Sequence, residues 1–341
     1  MADFDLLVLG AGPAGCAVAL RARQAGLRVL VLDANGAPKA SPGETLHPGI
    51  EALFKQLGVL DAVLRAGFRR QTGIWLESAT ESGAESGITR QFLPYGADEQ
   101  GPWAGFQADR KILHQILQDA VREAGAEMVR NARLGSLIYE GSRVAGVVAN
   151  GQPYHARWTV DATGRTAWLA KQLGLPVERR SPPIGVRFGW RDGSLAGDDG
   201  NPVFSFREDG WNWRAPLAAG RTAWVELRIG KPGGEAPSGV DLTWQLRPEC
   251  AGPGFFLVGD AAATLDPSSS HGVLRALMSG ILLGHLMEGY HRSQISQESV
   301  IESYRQWLCE QFSHDENHLK AYYASSLAGR AFAAVDESTA V

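Results

Sequence analysis

Cysteine is scarce in this chain. Cys16, Cys250 and Cys309 lie far apart in 341 residues, without metal-ligand or redox spacing. That excludes a disulfide framework and points to a reducing compartment. No apolar run approaches the ~18 residues of a membrane-spanning helix. No signal peptide is read ahead of the first apolar stretch, which leads directly into a glycine-rich turn. Charge of one sign is never concentrated and the net charge is −4, so neither nucleic acid nor a membrane surface is implied as partner. Repeats and low-complexity segments are missing too. These absences leave a soluble, cytoplasmic enzyme of one large or two modest domains as the expectation.

What the chain does have is patterned glycine. FDLLVLGAGPAGCAVALRARQAGLRVLVLDA, residues 4–34, reads as strand, tight turn, helix and strand. Gly10, Gly12 and Gly15 form G-x-G-x-x-G: the first makes the turn, the second admits a pyrophosphate, and the third lets helix pack on strand. Pro13 and Ala14 open the helix, whose N-terminus faces phosphate, and Gly26 stops it. Asp33 ends the second strand at the distance needed to accept from a ribose hydroxyl. The pattern predicts dinucleotide binding but does not separate NAD from FAD.

Further along, SPGETLH at 41–47 is a polar loop, and Pro48 starts a helix carrying Ile50, Leu53, Phe54 and Leu57. Asp109 caps a helix from Arg110 to Ala124, with Ile112, Leu113, Ile116, Leu117, Ala120 and Val121 as its core stripe. Strands follow near 126–130, 134–140 and 143–149, and another, Arg157–Val160, runs into DATGR at 161–165. From 183 to 229 the texture becomes antiparallel β. Five of the ten tryptophans (Trp190, Trp211, Trp213, Trp224 and Trp244) fall between 190 and 244. The link from Ile229 to Gly254 is short for a crossover, so a helical segment is either deleted or missing there. Phe255–Val258 is again a buried strand, delivering Gly259 and Asp260, and a helical tail runs from about Gly272 to Ala328.

The fold class expected is α/β: a Rossmann-like nucleotide-binding domain with a mixed parallel sheet, an inserted antiparallel β domain and a helical C-terminus. The segments 1–75, 105–182 and 252–300 form the nucleotide domain, 76–104 and 183–251 the inserted sheet, and 301–341 the terminal helices.

Three signatures in order, GAGPAG at 10–15, DATGR at 161–165 and GDAA at 259–262, resemble FAD-dependent monooxygenases of the p-hydroxybenzoate hydroxylase fold. The resemblance implies FAD as resident cofactor and an external electron donor, NAD(P)H or a flavin reductase. It also implies cofactor contacts from Ala34, Glu44, Thr45, Arg110, Leu134, Ala162, Gly164, Pro267, Gly272 and Val273, besides the glycines and acids above. GETLHPGIEALFKQLGV and WNWRAPL are similar to the flavin-dependent tryptophan halogenases. Those need a lysine where this chain aligns Gln71, and a glutamate where it has Ser269. Gln cannot form an amine adduct, and Ser is no carboxylate base. LDPSSSHGVLRALMSG, 265–280, resembles the flavoproteins that hydroxylate a peptidyl tryptophan in cysteine tryptophylquinone biogenesis.

The activity so implied is hydroxylation of an aromatic ring through a C4a-hydroperoxyflavin, on a tryptophan of a protein partner. The alternatives are a halogenase, a flavin-dependent reductase of isoprenoid-type substrates, and a non-catalytic partner with structural flavin. The small residues at 259–273 would make a flavin shelf, with backbone N–H groups of the Gly272 helix facing the charge of the reduced ring. His271, with an unperturbed pKa near ~6.5, either relays a proton at neutral pH or only hydrogen-bonds backbone. Ser270 is placed to hold the peroxide, and His47 is a second histidine candidate. Trp211 and Trp213, two apart on a strand, face one side and either wall the substrate or pack between domains. The pairs Arg69-Arg70 and Arg179-Arg180 are solvated surface or meet an acidic protein.

Overall fold

The structure is a computed structural model describing residues 3–39, 45–80, 87–195, 197–217, 220–231, 234, 237–326, 328–329 and 332. Leu6–Leu9 and Val29–Asp33 are buried at every residue, as two-sided cover of a parallel sheet requires. They are central in an eight-stranded sheet. Its order runs Glu127–Arg130, Val29–Asp33, Phe4–Leu9, Gln152–Asp161, Arg143–Ala149, Leu134–Glu140; Phe255–Leu257 also pairs with Gln152–Asp161, and Ala251–Gly252 pairs antiparallel with Phe255–Leu257. The pairings among Phe4–Leu9, Val29–Asp33, Glu127–Arg130, Gln152–Asp161 and Phe255–Leu257 are parallel. The three strands from 134 to 161 form antiparallel hairpins. Asn150 and Gly151 both have positive φ in the second turn, the backbone a two-residue hairpin needs.

The last of these strands starts at Gln152 rather than Arg157. Residues Gln152–His155 pair with Gly146–Ala149 across that hairpin, and the pairing overrides their weak strand character. Its C-terminal half pairs parallel with Phe255–Leu257, setting Asp161 opposite Leu257. DATGR and GDAA therefore leave the sheet side by side.

Helix Pro13–Gln24 packs on helix Gly272–His291 at close range. A Cβ on Gly280 would lie 2.5 Å from the Ala14 carbonyl. Helix Arg110–Glu123 is capped by Asp109, whose side chain accepts from Lys111 N. It buries Leu113, Leu117, Gln118 and Val121. Ile112, expected in the core, is 45% exposed: the period was right, but the buried stripe is centred one position further round.

The second sheet has seven strands in the order Val240–Asp241, Ile184–Asp192, Arg221–Ile229, Gly210–Pro216, Val203–Arg207, Gly73–Thr80, Gly87–Pro94. All neighbours are antiparallel except Val203–Arg207 with Gly73–Thr80. Strand Gly73–Thr80 begins before residue 76, and the last helix, Gln297–Ala324, before residue 301. The link from Ile229 to Gly254 carries only short strands among its described residues. No helix among the described residues is long and apolar enough to cross a membrane. Cys16, Cys250 and Cys309 are free thiols.

Candidate active site

Between the two sheets lies a cavity of about 480 Å³. One side is built from the nucleotide domain: Gly12, Pro13, Ala14, Ala162 and Gly164, with Gly259 and Asp260 beside them. Thr45 and Arg110 close one end, while Pro267, Ser270, Gly272 and Val273 form the shelf. Facing them is the second sheet. Its register sets Phe188, Val225 and Trp213 abreast on three strands, and Val186, Trp211, Val240 and Leu242 complete an apolar wall.

The glycines divide their tasks. Gly10 has φ +103°, and a Cβ there would lie 2.5 Å from the Ala162 carbonyl. A Cβ on Gly15 would lie 2.0 Å from the Gly10 carbonyl, whereas one on Gly12 meets nothing within 4 Å. Of these three, Gly12 alone keeps open space beside the cavity.

Two helix N-termini open on this space, at Gly12 and at His271, and neither has a side-chain cap. Their free N–H groups and dipoles favour negative charge. Asp260 is deep in the protein yet uncovered, because what it faces is the cavity. Burial pushes its pKa up, opposed by Arg275, Arg165 and Arg110. The Ser269 hydroxyl is buried without a hydrogen-bond partner among the described residues. A cradle kept open at Gly12, two uncapped helix ends and a bare acid together fit a dinucleotide with a flat ring.

Asp161 holds the DATGR turn. Its buried carboxylate accepts from Thr163 N at 2.9 Å, Thr163 Oγ1 at 2.6 Å and Leu169 N at 2.8 Å. Arg165, missed in the sequence reading although it ends that motif, also lines the cavity and donates to Asp241 O at 2.7 Å.

Several expected residues stand elsewhere. Asp33 is buried at the end of its strand, where Oδ1 accepts from Asn35 N at 3.3 Å, and it does not line the cavity. Ala34 is exposed next to it, and Leu134 sits on the sheet's outer strand opposite Ala149. Glu44 lies outside the described residues. Ser270 reaches the cavity with φ +56°, a strained backbone for a residue with a Cβ. His271 and His47 lie beside the cavity lining, not in it. Burial, Arg275 and His47 press the His271 pKa down to about 4. It is therefore neutral at neutral pH.

Three of the four arginines in the two pairs are tied within the chain, and Arg179 is exposed. Arg69 meets Asp198 at 2.9 Å, Arg70 meets Glu51, and Arg180 meets the buried Glu316 at 3.0 Å. Gln71 is also internal. Its Nε2 donates to Leu46 O at 3.3 Å, its Oε1 accepts from Gln107, and Gln107 Oε1 accepts from Thr45 at 2.9 Å.

Residues 5–179 match the family described as FAD dependent oxidoreductase. The chain belongs to that family. FAD is its cofactor, and the proteins similar to this FAD dependent oxidoreductase include halogenases, a monooxygenase and reductases. It is 24% identical to a 1H-pyrrole-2-carbonyl-[peptidyl-carrier protein] chlorinase of Pseudomonas fluorescens, over 87% of this chain and 78% of the relative. It is 30% identical to the 6-methylpretetramide 4-monooxygenase of Streptomyces rimosus, over 52% of this chain and 42% of the relative. The solved structure of the myxobacterial chondrochloren halogenase CndH superposes with a TM-score of 0.78 at 22% identity, covering 95% of this chain and 83% of that one. It shares the fold.

Proposed function

We propose that this oxidoreductase is a monooxygenase that hydroxylates an aromatic ring, a tryptophan side chain presented by a protein partner. NAD(P)H or a flavin reductase would supply the electrons. FAD, when bound, supplies the activation of dioxygen. Gly12, the helix starts at Pro13 and Gly272, and Asp260 would hold it. The Trp211, Trp213 and Phe188 wall would orient the substrate ring and exclude water.

The observation that carries this reading is the absence of an amine. The lysines of the sequence, Lys39, Lys55, Lys111, Lys171, Lys231 and Lys320, are all among the described residues, and none lines the cavity. Gln71 is held in a buried amide chain instead. The charged residues of the cavity lining, Arg110, Arg165 and Asp260, belong to the nucleotide-domain segments, although Arg165 reaches Asp241 O of the second sheet. The substrate wall therefore suits an uncharged ring whose polar remainder stays outside.

Halogenation is the second reading, favoured by the chlorinase and the halogenase among the similar proteins. An isoprenoid reductase would need a long apolar cavity, and here Thr45, Arg110, Arg165, Asp260 and Ser270 interrupt the lining. Mass spectrometry of a co-expressed candidate partner tests the first two. A tryptophan heavier by one oxygen atom supports the first, a chlorine isotope pattern replaces it with the second, and an unmodified partner sinks both.

A further inference from the structure

Asp266 is completely buried in the turn that leads into the shelf. Its Oδ1 accepts from Ser268 N at 2.9 Å, fixing the shelf backbone. Its Oδ2 accepts from Trp244 Nε1 at 2.7 Å and from the Tyr323 hydroxyl at 3.1 Å. The Tyr323 oxygen in turn accepts from Trp211 Nε1 at 2.9 Å, and Trp211 is part of the cavity wall. One carboxylate thus reaches both sides of the cavity. The tyrosine that completes the bridge comes from the last helix, where its ring stacks on Phe332 at 4.4 Å.

We infer that Asp266 and Tyr323 are positioning residues: together they fix the height and tilt of Trp211 over the shelf, and so the face that a bound aromatic ring turns to the cofactor. The inference rests on the proposed aromatic substrate site. A buried indole N–H and a buried hydroxyl each need a partner, and here each satisfies another in sequence. Burial and Asp266 both hold the Tyr323 pKa well above its usual value. The hydroxyl therefore keeps its proton, donates to Asp266 and leaves a lone pair for Trp211. Hydrogen bonding through a single oxygen makes the ring orientation depend on the carboxylate, although Asp266 and Trp211 do not share a hydrogen bond.

The test uses the full FAD-loaded chain with indole as probe, and the variants Tyr323→Phe, Trp211→Phe and the two combined. Tyr323→Phe keeps the ring and its stack on Phe332. Expected is an unchanged FAD affinity by flavin fluorescence, with indole affinity lowered about tenfold, the worth of one well-placed hydrogen bond. The double variant should lose no more than Trp211→Phe alone. Unchanged indole binding in Tyr323→Phe, additive losses, or an equal loss of FAD affinity would overturn the inference. If indole fails to bind the unmodified protein, the aromatic-site reading falls instead. The nuclear Overhauser pattern of the Trp211 ring C–H protons then decides positioning: it changes in Tyr323→Phe if the bridge orients the ring, and an unchanged pattern refutes it. Asp266→Asn serves the same measurement if Tyr323→Phe does not fold.

Discussion

His47 and His271 meet edge to face with ring centroids 4.9 Å apart. They join the segment that begins at Thr45 to the start of the Gly272 helix, two segments more than two hundred residues apart. His47 Nδ1 accepts from Gly49 N at 3.1 Å, so the neutral ring carries its proton on Nε2. Burial lowers the pKa of His47 as well. A proton on either ring would repel one on the other.

The pair makes stability depend on pH. The His271 pKa is depressed in the fold, so the unfolded chain takes up a proton first as pH falls below ~6.5. Stability is then fully present above that value and is lost down to about pH 4, where the folded ring protonates. Arg275, His47 and His318 push toward the neutral form, and Asp315 opposes them. His271→Gln should abolish on the order of 2 kcal/mol of this acid-side loss. Urea unfolding at pH 7 and pH 4.5 measures it; equal pH slopes in parent and variant would refute it.

Two of the three motif glycines, Gly12 and Gly15, should separate folding from binding. In Gly15→Ala the new Cβ collides with backbone at Gly10, and overpacking of this kind costs about 1–3 kcal/mol or more. In Gly12→Ala the new methyl stands in open space at a φ of −76°. Its melting temperature without flavin should match the parent, while FAD affinity falls at least about tenfold as the pyrophosphate approach is blocked. Calorimetry and a flavin titration distinguish the two, and a Gly12→Ala protein that binds FAD normally contradicts the cradle.

Asp260→Asn removes a carboxylate that burial disfavours. The flavin-free protein should be no less stable, since the desolvation of that charge is relieved. FAD affinity should drop about tenfold, the loss expected for a hydrogen bond to a charged group. Flavin retention through gel filtration, compared with the parent, is the readout.

Gln71→Lys tests the halogenase reading directly. Gln71 is 1% exposed and accepts from Gln107. A lysine there buries a charge and leaves that donor unmatched, so stability should fall by about 2 kcal/mol or more. No halogenated product should appear with chloride and reduced flavin. Halogenated product from the unsubstituted protein would reverse the proposed function.

The βαβ unit was legible because its signals are local: glycines at fixed spacing, an apolar strand on each side, Gly26 at the stop. Asp109 as a cap and Asn150-Gly151 as a turn were legible for the same reason. The strands of the second sheet could be read one by one, but their order could not, since Gly73–Thr80 joins Val203–Arg207 across more than a hundred residues. The site was harder. Trp211 was named, yet its acceptor is Tyr323, and nothing near either residue in sequence announces the other. His271 was found by its neighbours in the shelf, but its protonation is set by Arg275 and His47 in space. Asp33 had the right spacing and still points its carboxylate at its own turn. Local chemistry is written along the chain, whereas desolvation and long-range hydrogen bonds are not.

The rung that sets Asp161 opposite Leu257 has a consequence for how such a protein diversifies. Everything between those residues, including most of the aromatic wall, leaves and re-enters the parallel sheet across one interstrand gap of about 4.8 Å. The excursion can be exchanged or reshaped without prising apart the two phosphate-side turns it connects. Substrate preference is thus free to drift in one half of the molecule while the redox half stands still.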